Sequence, residues 1–387
     1  MNKNFTKSKI VILGGGSAGW LTALHIQKLH PSTEISVIED PKRPPIIAGE
    51  SGTITFVHFL SSLKIDNEDF IKKTNATPKM GGRFKNWNGV GTEFIHALQT
   101  NLNPQLYGFS QSVVPSKELG QLFFNLKIEN ESDLYVSTIL ANEIPLAKAF
   151  FAYQFIEQNK VPFGATCEEL CSPMWHFESR AAAAYFKDIG LSRNIKLIES
   201  EYKHSTQQAN GDIVSLTLED GRVIEGDWFF DCSGFSRLLL GKVLKEPLID
   251  YTDYFPARSV VAWWDQAKPC VTTNANAMEY GWSWNINLKH RSGNGYIYDP
   301  DHINLDQAVQ EAEKFYGYKI DPIANFTFNQ KKMKNAWKNN VLAIGLSSGF
   351  LEPLEANGVQ VIIDTLWAVE DLWRPNIKDD LQERQTL

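Results

Sequence analysis

Cysteine is scarce in this chain: Cys167, Cys171, Cys232 and Cys270 are the four among 387 residues. They are too few and too scattered for a disulfide framework. The Cys167/Cys171 spacing is not that of a zinc knuckle, and no neighbouring His or Cys pair completes a site, so no metal is expected. Reduced, structural thiols are the reading that remains. Long apolar runs are missing as well. None approaches 18 residues, which argues against a membrane partner. The opening residues Met1 to Lys9 carry no apolar leader core, and a cytoplasmic protein is expected. Basic clusters are also wanting: 38 Lys and Arg stand against 45 Asp and Glu, for a net charge of -7. That balance argues against nucleic acid as a partner. No internal repeat, low-complexity tract or clear linker divides the chain.

Apolar side chains are in ordinary supply at 43%, enough for a sizeable core, and the length suggests two to three packing units. Aromatic residues stand out at 12%, with 11 Trp. Such a surplus builds large cores, or cavities that hold flat ligands.

Residues 9–13 (KIVIL) form a β-branched apolar run typical of a buried parallel strand. Gly14-Gly15-Gly16-Ser17-Ala18-Gly19 follows at once, and Trp20, Leu21, Leu24, Ile26 and Leu29 recur at helical spacing until Pro31. Thr33 to Glu39 reads as a second strand ending on an acid. Strand, glycine turn, helix, strand and acid together make the dinucleotide-binding unit. Gly14 permits the tight turn, Gly16 lets backbone approach a pyrophosphate, and Gly19 allows close helix packing. The free N–H groups at Ser17 and Ala18 receive phosphate, and Glu39 is placed to accept from a ribose hydroxyl.

Further along, helices are expected over 144–158, 179–189 and 358–373. Short strands are expected over 259–264, 280–288 and 340–344. Residues 196–231 alternate as a β-meander with turns at Asn210-Gly211 and Asp220-Gly221, and end on Trp228-Phe229-Phe230-Asp231-Cys232-Ser233-Gly234. Residues 116–132 read as loop and amphipathic material, and the residues after Arg374 as a polar tail.

These motifs together resemble the flavin-dependent tryptophan halogenase family. Gly14-x-Gly16-x-x-Gly19-Trp20 is followed, as in that family, by Ala48-Gly49-Glu50-Ser51. Phe230-Asp231-Cys232-Ser233-Gly234-Phe235 matches its DCSG strand end, and His176-Phe177-Glu178-Ser179 its helix start before the meander. Gly281-Trp282-Ser283-Trp284-Asn285-Ile286-Asn287 is similar to its WxWxIP signature, with Asn287 where proline stands. Phe350-Leu351-Glu352-Pro353-Leu354-Glu355-Ala356-Asn357-Gly358 is similar to FLEPLESTG, with Ala356 and Asn357 replacing Ser and Thr.

The resemblance implies an α/β (α+β) fold: an FAD-binding, Rossmann-like flavin monooxygenase-type domain with an interleaved helical and sheet substrate region. Residues 1–115, 175–245 and 335–375 would form the FAD-binding part, 116–174 and 246–334 the substrate side, and 376–387 a tail. It implies FAD used as FADH2, delivered by a partner flavin reductase, with O2 and a halide ion (chloride, bromide or iodide). Flavin C4a-hydroperoxide and halide would give hypohalous acid, which halogenates a small electron-rich aromatic. Gly49, Glu50, Ser51, Asp231, Gly345 and Leu351 join the cofactor residues by the same resemblance.

Lys79 precedes Trp87 by the family's interval and becomes the catalytic lysine, where composition alone would leave a solvated surface residue. Glu355 matches the catalytic glutamate, with Glu352 the competing carboxylate. Asn357 and Gly358 open the last helix and are expected at the halide. Trp282 and Trp284 would share one strand face beside the channel with Ile286, and His96 would line the substrate pocket or serve structurally. Tryptophan-specific members carry a long helical segment after the last helix seen here. An indole, phenol or pyrrole other than free tryptophan is therefore the expected substrate. A flavin monooxygenase or hydroxylase on the same fold, or a non-catalytic flavin-binding protein, are the alternatives. A homodimer is one form the protein could take.

Overall fold

The computed structural model describes residues 8–43, 49–97, 151–162, 171–354 and 357–373. Two large sheets dominate. The first has six strands, in the order Trp337–Lys338, Val341–Ala343, Trp228–Asp231, Lys9–Leu13, Glu34–Glu39 and Lys196–Glu199. All neighbours are parallel except the terminal pair. Its strands read as unbroken apolar runs because both faces are covered. Ile10, Ile12, Ile35, Val37 and Phe230 point into a core that they share with five helices: Ser17–Leu29, Ile54–Ser62, Asn67–Thr74, Ser179–Ser192 and Asn357–Trp373. Val11, Leu13, Ile38, Ile198 and Phe229 point the other way, into a core with Ile213, Leu216 and Leu218 of the meander.

Of the β-meander expected over 196–231, Tyr202–Gln207, Ile213–Leu218 and Val223–Glu225 form the antiparallel unit, whereas Lys196–Glu199 and Trp228–Asp231 join the six-stranded sheet as parallel strands. Gly211 and Gly221 take positive φ at the turns of the antiparallel unit. The last helix buries Val359, Ile362, Ile363, Leu366 and Val369, one apolar stripe at helical spacing. The expected helix over 144–158 is described only as Phe151–Glu157, and the readings for 116–132 and for the tail after Arg374 lie outside the described residues.

The second sheet has seven strands: Pro322–Thr327, Ser259–Asp265, Ser292–Tyr298, Gly281–Asn287, Thr272–Met278, Gly81–Lys85 and Glu93–Ala97. Only the Gly81–Lys85/Thr272–Met278 pair is parallel. One face carries Phe84, Trp282, Trp284, Ile286 and Ile297. Gly295 leaves the space that the Trp284 indole fills; a Cβ there would lie 2.0 Å from the ring. The opposite face is apolar beneath the helix Leu305–Tyr316, where Val261, Trp263 and Tyr296 meet Ala308 and Ala312.

Between its apolar flanks that face carries a ladder of amides. Asn274 Nδ2 donates to Asn285 Oδ1 (2.9 Å), Asn285 Nδ2 to Asn294 Oδ1 (2.6 Å), and Asn287 Nδ2 to Asn285 Oδ1 (2.7 Å). Ser292 Oγ donates to Asn287 Oδ1. Cross-strand polar pairs of this kind stiffen a sheet where side chains are withdrawn from water.

A third, small sheet lies between the two. Gly49–Ser51 and Thr77–Lys79 flank Met174–Glu178, both antiparallel to it.

His25 of the first helix is fully buried against the last helix, its Nε2 3.5 Å from Glu370 Oε2. Burial lowers its pKa to about 4, only partly offset by the Glu370 charge. Above about pH 6.5 the imidazole is neutral in both folded and unfolded chains. Between about 6.5 and 4 the unfolded chain takes up a proton that the folded one refuses, so stability falls with falling pH. This group should remove about 3 kcal/mol across that window. Urea unfolding of the His25→Leu variant at pH 7.5 and pH 4.5 should show a smaller acid-side loss than the parent by that amount. An equal loss in both proteins would contradict it.

Candidate active site

A cavity of about 630 Å³ runs from the first glycine turn to the aromatic face of the seven-stranded sheet. Its dinucleotide end is built by close backbone approach. Gly14 has φ +128°, and a Cβ on it would lie 2.2 Å from the Cys232 carbonyl oxygen; a Cβ on Gly19 would lie 1.8 Å from the Gly14 oxygen. Gly16, by contrast, faces open space. The helix it caps has no side-chain cap at its start, which leaves the first-turn N–H groups to a ligand, and Ser17 and Ala18 line the cavity there. This cradle fits a dinucleotide pyrophosphate.

Glu39 ends its strand at the cavity wall and accepts from Lys187 Nζ at 2.9 Å. Burial alone would lower the Lys187 pKa, but the bond and charge of Glu39 outweigh it and hold it raised. The carboxylate is thereby fixed in orientation beside the glycine turn.

Lys79 lies at the other end. It is 2% exposed, lines the same cavity, and its Nζ is 3.4 Å from the carbonyl oxygen of Gly52, to which it donates. A lysine so buried is rare without a purpose or partners. Trp282, Trp284 and Ile286 form a continuous wall on one face of their strand, as the alternation predicts. The Trp282 ring centroid is 6.2 Å from that of Trp284 and 6.4 Å from that of Trp87, whose Nε1 donates to the Ala275 carbonyl.

The structure brings Gly14, Gly16, Ser17, Ala18, Glu39, Ser51, Lys79, Trp282, Trp284 and Gly358 to this one cavity. Gly19 stands behind the turn, in contact with the Gly14 backbone. Other expected residues lie elsewhere. The buried carboxylate of Asp231 accepts from the Ser233 N–H and hydroxyl and from the Leu239 and Leu240 N–H groups, and so organises the following turn. Gly345 sits at φ +64° behind Ile344 and Leu346, which do reach the cavity. Leu351 is exposed, and so is Asn357 at the start of the last helix.

His96 is exposed; it shares a sheet face with Gly82 and Phe84, on the strand beyond them. Gly49 and Glu50 are described as strand backbone only, and Glu355 lies outside the described residues. The Glu352 carboxylate accepts from the Leu354 N–H, which is turn-capping duty.

Several residues at or behind the cavity are not among the site residues that the sequence suggests. Arg43 reaches the dinucleotide end, and Thr273 faces the cavity beside Ser51. His176 is fully buried behind Thr273, its Nε2 2.8 Å from the Thr273 hydroxyl. Thr273 lies in the largely polar stretch Thr272-Thr273-Asn274-Ala275-Asn276, whose one local strand cue is the β-branched pair Thr272-Thr273. Which face of it would meet a ligand depends on a pairing with Gly82 far away in sequence.

The comparisons with known proteins agree with this geometry. The family model for tryptophan halogenase matches residues 9–383. Tryptophan 6-halogenase ThaL of Streptomyces albogriseolus is 30% identical over 371 residues, which cover 91% of this chain and 67% of that one. Two solved structures superpose closely. BrvH, a flavin-dependent halogenase from Brevundimonas sp. BAL3, has TM-score 0.79 at 26% identity, covering 95% of this chain and 72% of its own. Xcc4156, a flavin-dependent halogenase from Xanthomonas campestris, has TM-score 0.81 at 26% identity, covering 95% and 71%.

The cradle yields a paired prediction. Gly16→Ala adds a methyl where the protein leaves room, so its melting temperature should stay within about 2 °C of the parent. Its affinity for FAD should fall roughly tenfold or more. Gly19→Ala should instead cost about 3 kcal/mol of stability. Calorimetry and flavin titration of both variants check this; an equally stable Gly19→Ala variant would refute the packing argument.

Proposed function

Because this chain belongs to the tryptophan halogenase family, we propose that it is an FADH2-dependent halogenase acting on an electron-rich aromatic. The observation that carries the reading is the buried ammonium of Lys79 in the wall of the cavity that begins at the dinucleotide cradle. Reduced flavin, when bound and supplied with dioxygen and halide, provides the oxidising equivalent as hypohalous acid.

The remaining work falls to the chain. Gly14, Gly16, Ser17 and Ala18 hold the pyrophosphate, and Glu39 receives a ribose hydroxyl. The last helix begins at Asn357, and the backbone at Gly358, which faces the cavity, is assigned to the halide. Trp282, Trp284 and Ile286 close one side, keeping water and the aromatic from the flavin end. Lys79, drawn away from bulk water, donates a hydrogen bond to the oxygen of hypohalous acid and polarises the halogen toward the ring. Glu355 is assigned the proton that the ring releases. Free reduced flavin must come from elsewhere, so a flavin reductase is the proposed partner.

The test supplies FAD, NADH, a flavin reductase, oxygen and chloride, bromide or iodide with a panel of indoles, phenols, pyrroles and free tryptophan. Mass spectrometry reports the product. A halogenated aromatic is expected, with Lys79→Ala reducing the rate roughly 100-fold or more while flavin still binds. Glu355→Gln should slow turnover in the same direction. A product that gains oxygen without halide would instead make the protein a monooxygenase, and full activity in Lys79→Ala would overturn the assigned mechanism.

A further inference from the structure

The strand that carries Lys79 is fastened in an unusual way. It belongs to the small sheet, where Lys79 pairs with Met174 and Thr77 with His176. Two residues after Lys79 the chain enters the seven-stranded sheet at Gly81. Three attachments lock this junction. Thr77 Oγ1 donates to the Asn287 carbonyl (2.5 Å), and the Met80 N–H donates to the Val271 carbonyl (2.6 Å). The third runs through side chains: the Thr273 hydroxyl of the large sheet lies 3.2 Å from Ser51 Oγ and 2.8 Å from His176 Nε2. Ser51 pairs directly with His176, and the residue after it, Gly52, offers the carbonyl that receives the Lys79 ammonium.

His176 is completely buried, yet its Nδ1 has no hydrogen-bond partner among the described residues. An apolar side chain would fill this place without leaving a buried polar atom unmatched. What the imidazole adds is Nε2, held at Thr273. Burial first, then the neighbouring Lys79 charge, drive its pKa well below the ordinary value, so it sits beside the ammonium without a competing charge.

We propose that Thr273 and His176 are positioning residues for Lys79, tying the small sheet to the aromatic sheet through Ser51 so that the ammonium is held against Gly52 and faces the cavity. The inference rests on the reading of Lys79 as the residue that handles the oxidant.

Thr273→Val removes the hydroxyl and keeps the shape. It should lower kcat roughly tenfold or more, because small misplacements of a reacting group are costly. KM for the aromatic and the flavin Kd should stay within about twofold. Thr273→Ser should restore kcat. A readout independent of turnover is the rate at which a small acylating reagent labels Lys79, followed by peptide mass spectrometry. It should rise in Thr273→Val and be unchanged at other lysines. Should Thr273→Val not fold, a second pair decides. His176→Gln can still reach Thr273 and should retain most of kcat, whereas His176→Leu should lose it; equal kcat in the two overturns the inference. Full kcat and unchanged Lys79 labelling in Thr273→Val also overturn it, provided that Lys79→Ala is inactive. Full activity in Lys79→Ala would instead remove the reading beneath it.

Discussion

A few residues at the Lys79 junction bond to two sheets at once, and the cavity depends on that double attachment. The parallel sheet supplies the glycine cradle, and the seven-stranded sheet supplies the aromatic wall. The short strands Gly49–Ser51, Met174–Glu178 and Thr77–Lys79 join the two beside Lys79. Backbone bonds such as Met80 to Val271 set the spacing, and side-chain bonds such as Thr77 to Asn287 set the orientation. A buried lysine is affordable here because strand backbone surrounds it and a carbonyl receives its head.

The two large sheets solve burial differently. In the parallel sheet the buried apolar side chains alternate between the two faces and feed two cores. In the seven-stranded sheet the cavity face is aromatic, while the back combines apolar flanks with amides that satisfy one another. Asn287 shows what this achieves. Where the family signature has proline, which fixes one backbone angle and donates nothing, Asn287 donates to Asn285, accepts from Ser292 and offers its carbonyl to Thr77. The strand end is held by bonds instead of by a ring.

Much of this was legible in the sequence, and physics says which part. Strands buried on both faces declare themselves as apolar runs, and the glycine turn carries its own spacing. The meander shows its turns, and Trp282, Trp284 and Ile286 share a face by period two alone. What was hidden depends on partners remote in sequence. Ser292–Tyr298 is a strand for which the sequence raises no expectation, and the Trp284 indole occupies the space above its Gly295. Asp231, in a motif that points to the cofactor, gives its carboxylate to four donors of its own loop. Thr273 and His176 acquire meaning only once three strands are brought together. The segment 81–85, expected in the FAD-binding part, pairs with Thr272–Met278 from the second half of the chain and carries 93–97 on its other edge.

That interleaving has a consequence for how the molecule is made. Lys9–Leu13 finds one neighbour within thirty residues but waits for Trp228–Asp231 on its other side, and Gly81–Lys85 waits for Thr272–Met278. On a ribosome both sheets stay open-edged until most of the chain has emerged, and parallel pairings of such long reach close slowly. The nascent protein therefore exposes apolar strand edges for much of its synthesis. No cut through the middle of the chain would release a half that could hide them.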